Sequence, residues 1–187
     1  GVGRVAKLVA AAYGTVLIVA VAVVLLRSPH PTTPAYLATE GCSPADLAHY
    51  CRGVRARVSS YHVFEDHQPM YAIDGRRSRD LLEKWVSGPD DRAPWIELSF
   101  PVPVDFSAVR LAHAGHVESA EYTMRSYRLS CSAGDELRAK LRVEGNEATL
   151  AEHALSCVQV DRLRVELDTE PGTAREVARL YEIEVTP

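Results

Sequence analysis

The stretch Ala93 to Pro101 reads Ala-Pro-Trp-Ile-Glu-Leu-Ser-Phe-Pro, and its alternation leaves little choice of backbone conformation. Ile96, Leu98 and Phe100 fall on one side of an extended chain, and Trp95, Glu97 and Ser99 on the other. A period of two with one apolar side marks a strand with one buried face. Pro94 and Pro101 fence it, because a proline cannot donate to a ladder inside a sheet, so the strand is expected to start and stop there. The pattern recurs. Val109 and Leu111 alternate with Arg110 and Ala112; Tyr127, Leu129 and Cys131 alternate with Arg128 and Ser130; Leu163, Val165 and Leu167 alternate with Arg164 and Glu166. Asp74-Gly75, Gly88-Pro89-Asp90, Gly134-Asp135, Gly145-Asn146 and Pro171-Gly172 supply the turn chemistry between the runs. Only Asp80 to Trp85 leaves room for a helix among them. Short alternating runs punctuated in this way predict an all-β antiparallel sandwich or barrel.

The chain has 187 residues and a formal net charge of -4. Setting aside an apolar N-terminal run and a linker leaves about 130 residues, enough for one domain with a real core. Nucleic-acid binding needs a concentrated basic tract, and the mildly acidic sequence has none, so that class is set aside.

Residues 8–26 carry no charged side chain and are mostly Val, Ala, Leu and Ile. As a helix this run is roughly 28 Å long, close to the hydrocarbon thickness of a bilayer. A cleaved signal peptide usually has a shorter apolar region ending in small residues, whereas this run ends in Leu25, Leu26 and Arg27. A retained transmembrane α-helix within residues 1–27 is the preferred reading. Arg4 and Lys7 before the run, against Arg27 after it, place the N-terminus in the cytoplasm and the remainder outside. A start at Gly1 leaves open that this is the last span of a longer membrane protein. Residues 28–54 read as a linker: Pro29, Pro31 and Pro34 favour extended backbone, and Ser43-Pro44-Ala45-Asp46 offers a serine cap with proline at the first position of a short helix.

Cys42, Cys51, Cys131 and Cys157 form an even set in a segment expected outside the membrane, where disulfides persist. Of three pairings, Cys131 with Cys157 and Cys42 with Cys51 is preferred, since the first two lie at ends of apolar runs. Full helix over residues 44–50 would hold Cys42 and Cys51 too far apart, so the local pair needs a short or bent helix. No Cys-x-x-Cys spacing points to zinc.

The order of landmarks resembles a discoidin-like domain, also called the coagulation factor 5/8 type C domain, among the galactose-binding-like jelly rolls. The residues that carry the likeness are Val58-Ser59-Ser60, Ala72-Ile73-Asp74-Gly75, Trp85-Val86-Ser87, Trp95-Ile96-Glu97-Leu98, Val109-Arg110-Leu111, Tyr127 to Ser132, Gly145-Asn146, Arg162 to Val165, and the closing Ala178 to Val185. The match spans residues 55–187. It implies an eight-stranded antiparallel sandwich whose loops at one end bind glycans, lipid head groups or protein surfaces without catalysis. It also implies a structural calcium at the Asp-Gly turn, matched by Asp74 and Glu182. Three arginines and a lysine follow Asp74 before Trp85, and they oppose a cation that wants six or more oxygens. Asp74 as a plain turn residue is therefore the preferred reading.

Tyr61, His62, Phe64, Glu65 and His67 occupy the loop after the first strand, where aromatics and polar groups suit a sugar ring and its hydroxyls. His113 and His116 are expected in a loop after the Val109 strand, and a solvated loop is preferred there to a metal site. Arg125 precedes the Tyr127 strand, near where carbohydrate-binding relatives often place an arginine. Ser130 and Ser132 lack the glycines of a nucleophile elbow, and Asp90-Asp91 is a polar turn, so nothing suggests an enzyme. The expected function is a membrane-anchored, extracytoplasmic, glycan-binding module without catalysis. The alternative is an accessory or protein-interaction domain at the C-terminal end of a larger membrane protein such as a glycosyltransferase.

Overall fold

A computed structural model describes residues 43, 45–63, 67–76 and 81–187. The chain divides into two units, residues 1–39 and 40–187. The expected transmembrane helix lies outside the described residues, among which no helix is long and apolar enough to cross a membrane. Among the described residues the second unit is an antiparallel β-structure of seven strands, one fewer than the resemblance implies: β1 (Arg55–Val58), β2 (Trp85–Val86), β3 (Trp95–His113), β4 (Tyr127–Ala133), β5 (Glu136–Val143), β6 (Leu150–Leu167) and β7 (Arg179–Thr186).

The short runs expected from the sequence are fused in β3 and β6, of 19 and 18 residues, each of which runs unbroken through two layers. The first half of β3 pairs with β1 and with the second half of β6, which continues to β4 and β5. The second half of β3 pairs with β7 and with the first half of β6, and β2 closes the far edge. Pro101 therefore marks a corner and not the end of a strand. It lies in the exposed middle of β3, where the register with β6 shifts between Ser99 and Val104. A proline reports backbone with no ladder bond to donate, and a bulged corner has such backbone as much as a strand end does. Across the corner, Gln159 takes a φ of 53° while its N–H donates to Asp105 Oδ1 at 2.7 Å.

The inner rows follow from the alternation. Ala56, Leu98, Leu163, Cys131 and Ala139 form one register row of the first layer, and Val58, Ile96, Val165, Leu129 and Leu141 the next. They share one core with Val109, Leu111, Ile183 and Val185 of the second layer. Ile96, Leu98 and Leu163 are fully buried and Phe100 nearly so. The Cys131–Cys157 disulfide, Cα–Cα 6.4 Å, ties β4 to β6 beside this core. Cys51 is also disulfide-bonded, but Cys42 lies outside the described residues.

The segment before β1 is not a helix: residues 45–49 form turn, bend and irregular backbone. Asp46 Oδ1 accepts from the N–H groups of Ala48 and Val185, each at 2.9 Å, and the Leu47 N–H donates to Val185 O at 2.7 Å. An aspartate that bonds its own backbone two residues on competes with helix, and here the segment is drawn against β7 instead. Tyr50–Arg52 makes a single 3-10 turn. Residues 81–84 form turn and bend where a helix had room. Further 3-10 turns, at Pro69–Ile73, Ala114–His116 and Ala120–Tyr122, shape the connections.

Candidate functional site

The loop after β1 is pinned by polar contacts. Gly88 N–H donates to Ser60 Oγ at 2.9 Å, Trp85 Nε1 to Ser60 O at 3.0 Å, and His62 N–H to Val86 O at 2.9 Å. Tyr61 is held in solvent and His62 is half-buried. His67 is buried, with Nδ1 3.0 Å from Leu82 O and its ring 6.1 Å from that of His62. Phe64 and Glu65 lie outside the described residues.

His62 and His67 line a cavity of about 360 Å³ together with Lys84, Glu118, Tyr122, Glu176 and Arg179. The Lys84 ammonium lies 3.1 Å from Glu118 Oε1, which also accepts from the Tyr181 hydroxyl at 3.1 Å. The Arg179 guanidinium lies 4.6 Å from the centre of the Tyr122 ring and donates to Ala174 O at 2.6 Å. A guanidinium on one ring face fixes the aromatic plane. A second cavity, of about 310 Å³, is lined by Glu121, Thr123, Arg125, Asn146, Glu147 and Arg175. The expected site residues are thus divided, with His62 and His67 in one hollow and Arg125 in the other. The segment 120–123 contributes to both. His116 is exposed on its 3-10 turn and lines neither cavity among the described residues.

His113 is not a loop residue. It closes β3 with no exposed surface, its ring 5.3 Å from that of Tyr127. Both its ring nitrogens are buried without a hydrogen-bond partner among the described residues, and burial pushes the imidazole down to about 4. The alternation Val109, Leu111, His113 already puts it on the inner side. Gly115 suggested a loop starting after Ala112, and the period prevailed.

Asp74 and Glu182, the pair that resemblance offers for calcium, do come together. Glu182 shares a face of β7 with Glu184, the outer face of the second layer, and is buried, as is Asp74. Glu182 Oε2 accepts from the Gly75 N–H at 3.1 Å and Asp74 Oδ1 from the Arg76 N–H at 2.9 Å. The other oxygen of each, Oε1 and Oδ2, is buried without a partner among the described residues. Two such oxygens fit a small hard cation, which would neutralise the pair and fix the turn. Among the described residues no third carboxylate, histidine or cysteine joins them to hold a metal. Burial, with the Glu83 charge adding to it, pushes Asp74 up to about 7, and burial with the Asp74 and Asp46 charges pushes Glu182 well above the ordinary range. A shared proton satisfies the same two oxygens.

The sequence singled out His62 and His67 and missed Lys84, Glu118, Tyr122 and Arg179, which come from three other segments. Two signals existed: the charged insertion ending at Lys84 and an isolated tyrosine at position 122.

Neither a protein-family model nor a curated protein matches the sequence. Solved structures do match. A fucose binding module of Streptococcus pneumoniae has a TM-score of 0.63 at 16% identity, over 79% of this chain and 99% of that one. The lectin domain of lectinolysin, complexed with Lewis B antigen, has 0.63 at 17%, over 77% and 97%. The family 32 carbohydrate-binding module of C. perfringens NanJ, in complex with galactose, has 0.58 at 13%, over 76% and 98%. Two antiparallel layers joined by shared strands, and this likeness, give the described part of the chain the discoidin-like, galactose-binding-like fold.

Proposed function

We propose that this chain is a non-catalytic carbohydrate-binding module, held on the outer side of a membrane by residues 8–26, with the cavity between His62, Tyr122 and Arg179 as its sugar site. The observation that carries the reading is the Tyr122 ring, fixed in plane by Arg179 at 4.6 Å beside a cavity whose other walls are His62, Lys84, Glu118 and Glu176. A flat apolar surface with donors and acceptors around it suits a pyranose, which has an apolar face and a hydroxylated rim. The matching modules, whose names specify fucose, galactose or Lewis B antigen, support the class of ligand. Isothermal titration of the folded chain with fucose, galactose and Lewis b oligosaccharide is expected to find a saccharide ligand. Arg179→Ala and Tyr122→Ala should each remove that binding. A folded chain that binds no saccharide, or binding indifferent to both changes, overturns the reading. Membrane orientation is checked by protease protection in vesicles, with residues 40–187 digestible only from the extracytoplasmic side.

A second reading, an accessory domain that contacts a protein, is favoured by exposed apolar side chains on neighbouring loops: Val63, Leu81 and Leu82 are each more than half exposed. Under that reading, Val63→Asp with Leu81→Asp shifts the protein to smaller complexes on native gels of solubilised membranes, with saccharide titration unchanged. An unchanged complex size removes it.

A further inference from the structure

The outer side of the first layer is cationic in a chain whose formal net charge is -4. Its register rows run across the sheet. Arg57, Glu97, Arg164, Ser130 and Lys140 form the middle row. Arg55, Ser99, Arg162 and Ser132 lie on one side of it, and Trp95, Glu166, Arg128 and Arg142 on the other. Followed along the strands, cations stand in columns on β1, β6 and β5, each two strands from the next, about 10 Å apart. Ser99, Ser130 and Ser132 make low floors between the columns.

Carboxylates neutralise part of this charge. Glu97 lies 2.7 Å from Arg57 and 3.4 Å from Arg164, Glu166 lies 2.8 Å from Arg128, and Asp161 lies 3.4 Å from Arg162. Arg142 pairs with Asp168 at the rim. Arg55 and Lys140 are exposed, with no carboxylate within ion-pair distance among the described residues. At the β5 edge a groove of about 650 Å³ is lined by Arg128, Lys140, Leu141 and Arg142.

We infer that this face binds a linear anionic polysaccharide, one bearing sulfate, phosphate or carboxylate groups at intervals along its length, at a site separate from the loop-end cavity. Charge complementarity selects the class. Columns of cations at a regular spacing meet charges that repeat along a polymer, arginine forks take planar or tetrahedral oxyanions in pairs of hydrogen bonds, and serine hydroxyls between them suit sugar hydroxyls. A nucleic acid would need bare aromatic faces for its bases. These rows hold a single aromatic, Trp95, where successive bases would need several.

The test uses the full chain in a neutral detergent, with immobilised dextran sulfate as the probe and unmodified dextran as the neutral reference. Dextran sulfate should retain the chain, more weakly as salt rises, and dextran should not. The double variant Arg55→Glu with Lys140→Glu touches neither the core nor the loop-end cavity. It should bind dextran sulfate about tenfold or more weakly at an unchanged melting temperature. Equal binding by the double variant overturns the inference. So does a folded chain that ignores dextran sulfate, or one that prefers duplex DNA or phosphatidylglycerol vesicles to it. Saccharide titration at the loop-end cavity is a separate readout, so either site can fail alone.

Discussion

The Tyr127 hydroxyl lies 2.7 Å from His153 Nε2, while His113, its ring 5.3 Å from that of the same tyrosine, lies buried without a hydrogen-bond partner among the described residues. The partially exposed histidine is satisfied and the buried one is not. His113 titrates near 4 in the fold and near 6.5 once unfolded. Between those values the unfolded chain accepts a proton that the fold refuses. Stability is therefore intact above about pH 6.5 and falls as the pH drops toward 4, by up to about 3 kcal/mol. His113→Phe should flatten this acid limb. Urea midpoints at pH 7 and pH 5 check it, and parallel losses in parent and variant would count against it.

Asp74 and Glu182 work in the opposite direction. Their folded values are raised, so the fold keeps protons that the unfolded chain releases, and stability falls as the pH rises from about 4 through 7. Asp74→Asn should remove on the order of a few kcal/mol of that alkaline loss. Calcium should substitute for the variant: 1 mM-scale additions are expected to raise the melting temperature at pH 8 more than at pH 6. Equal shifts at the two pH values, or none, would assign the pair to the proton alone.

Reduction of the Cys131–Cys157 disulfide opens a 26-residue loop across the edge of the core. Cys131→Ala with Cys157→Ala is expected to cost roughly 3.5 kcal/mol by the loop-entropy model. Denaturant unfolding gives the value directly. A cost under 1 kcal/mol would mean that the unfolded chain is already compact around this segment.

Gly115 has no room for a side chain. A Cβ there would come within 2.1 Å of Thr123 Oγ1 and 3.2 Å of the Ala120 Cα. Gly115→Ala should push the Ala120–Thr123 segment outward at a cost of about 1–3 kcal/mol. Because Tyr122 rides on that segment, saccharide affinity should fall alongside stability. Unchanged affinity with lowered stability would take Tyr122 out of the sugar site.

Legibility followed the range of the interactions. The inner residues of the long strands were readable because a period of two fixes the face of every member once one is placed, as with Ile96, Leu98 and Leu163. His113 was readable by the same rule. The corner at Pro101 was not, because a proline gives the same local signal at a bend and at an end. The cavity around Tyr122 draws on segments near positions 62, 84, 118 and 179, and nothing local says that such segments meet. Only the resemblance paired Asp74 with Glu182, 108 residues apart in the numbering.

Because β3 and β6 are each common property of the two layers, neither layer owns a complete set of strands. Peeling one away strips the other of half its ladder, so the sandwich has no half that can melt while the remainder stands. Amides on the two sides of the corner, at Leu98 and at Leu111, should lose hydrogen-exchange protection together, in one event with one free energy.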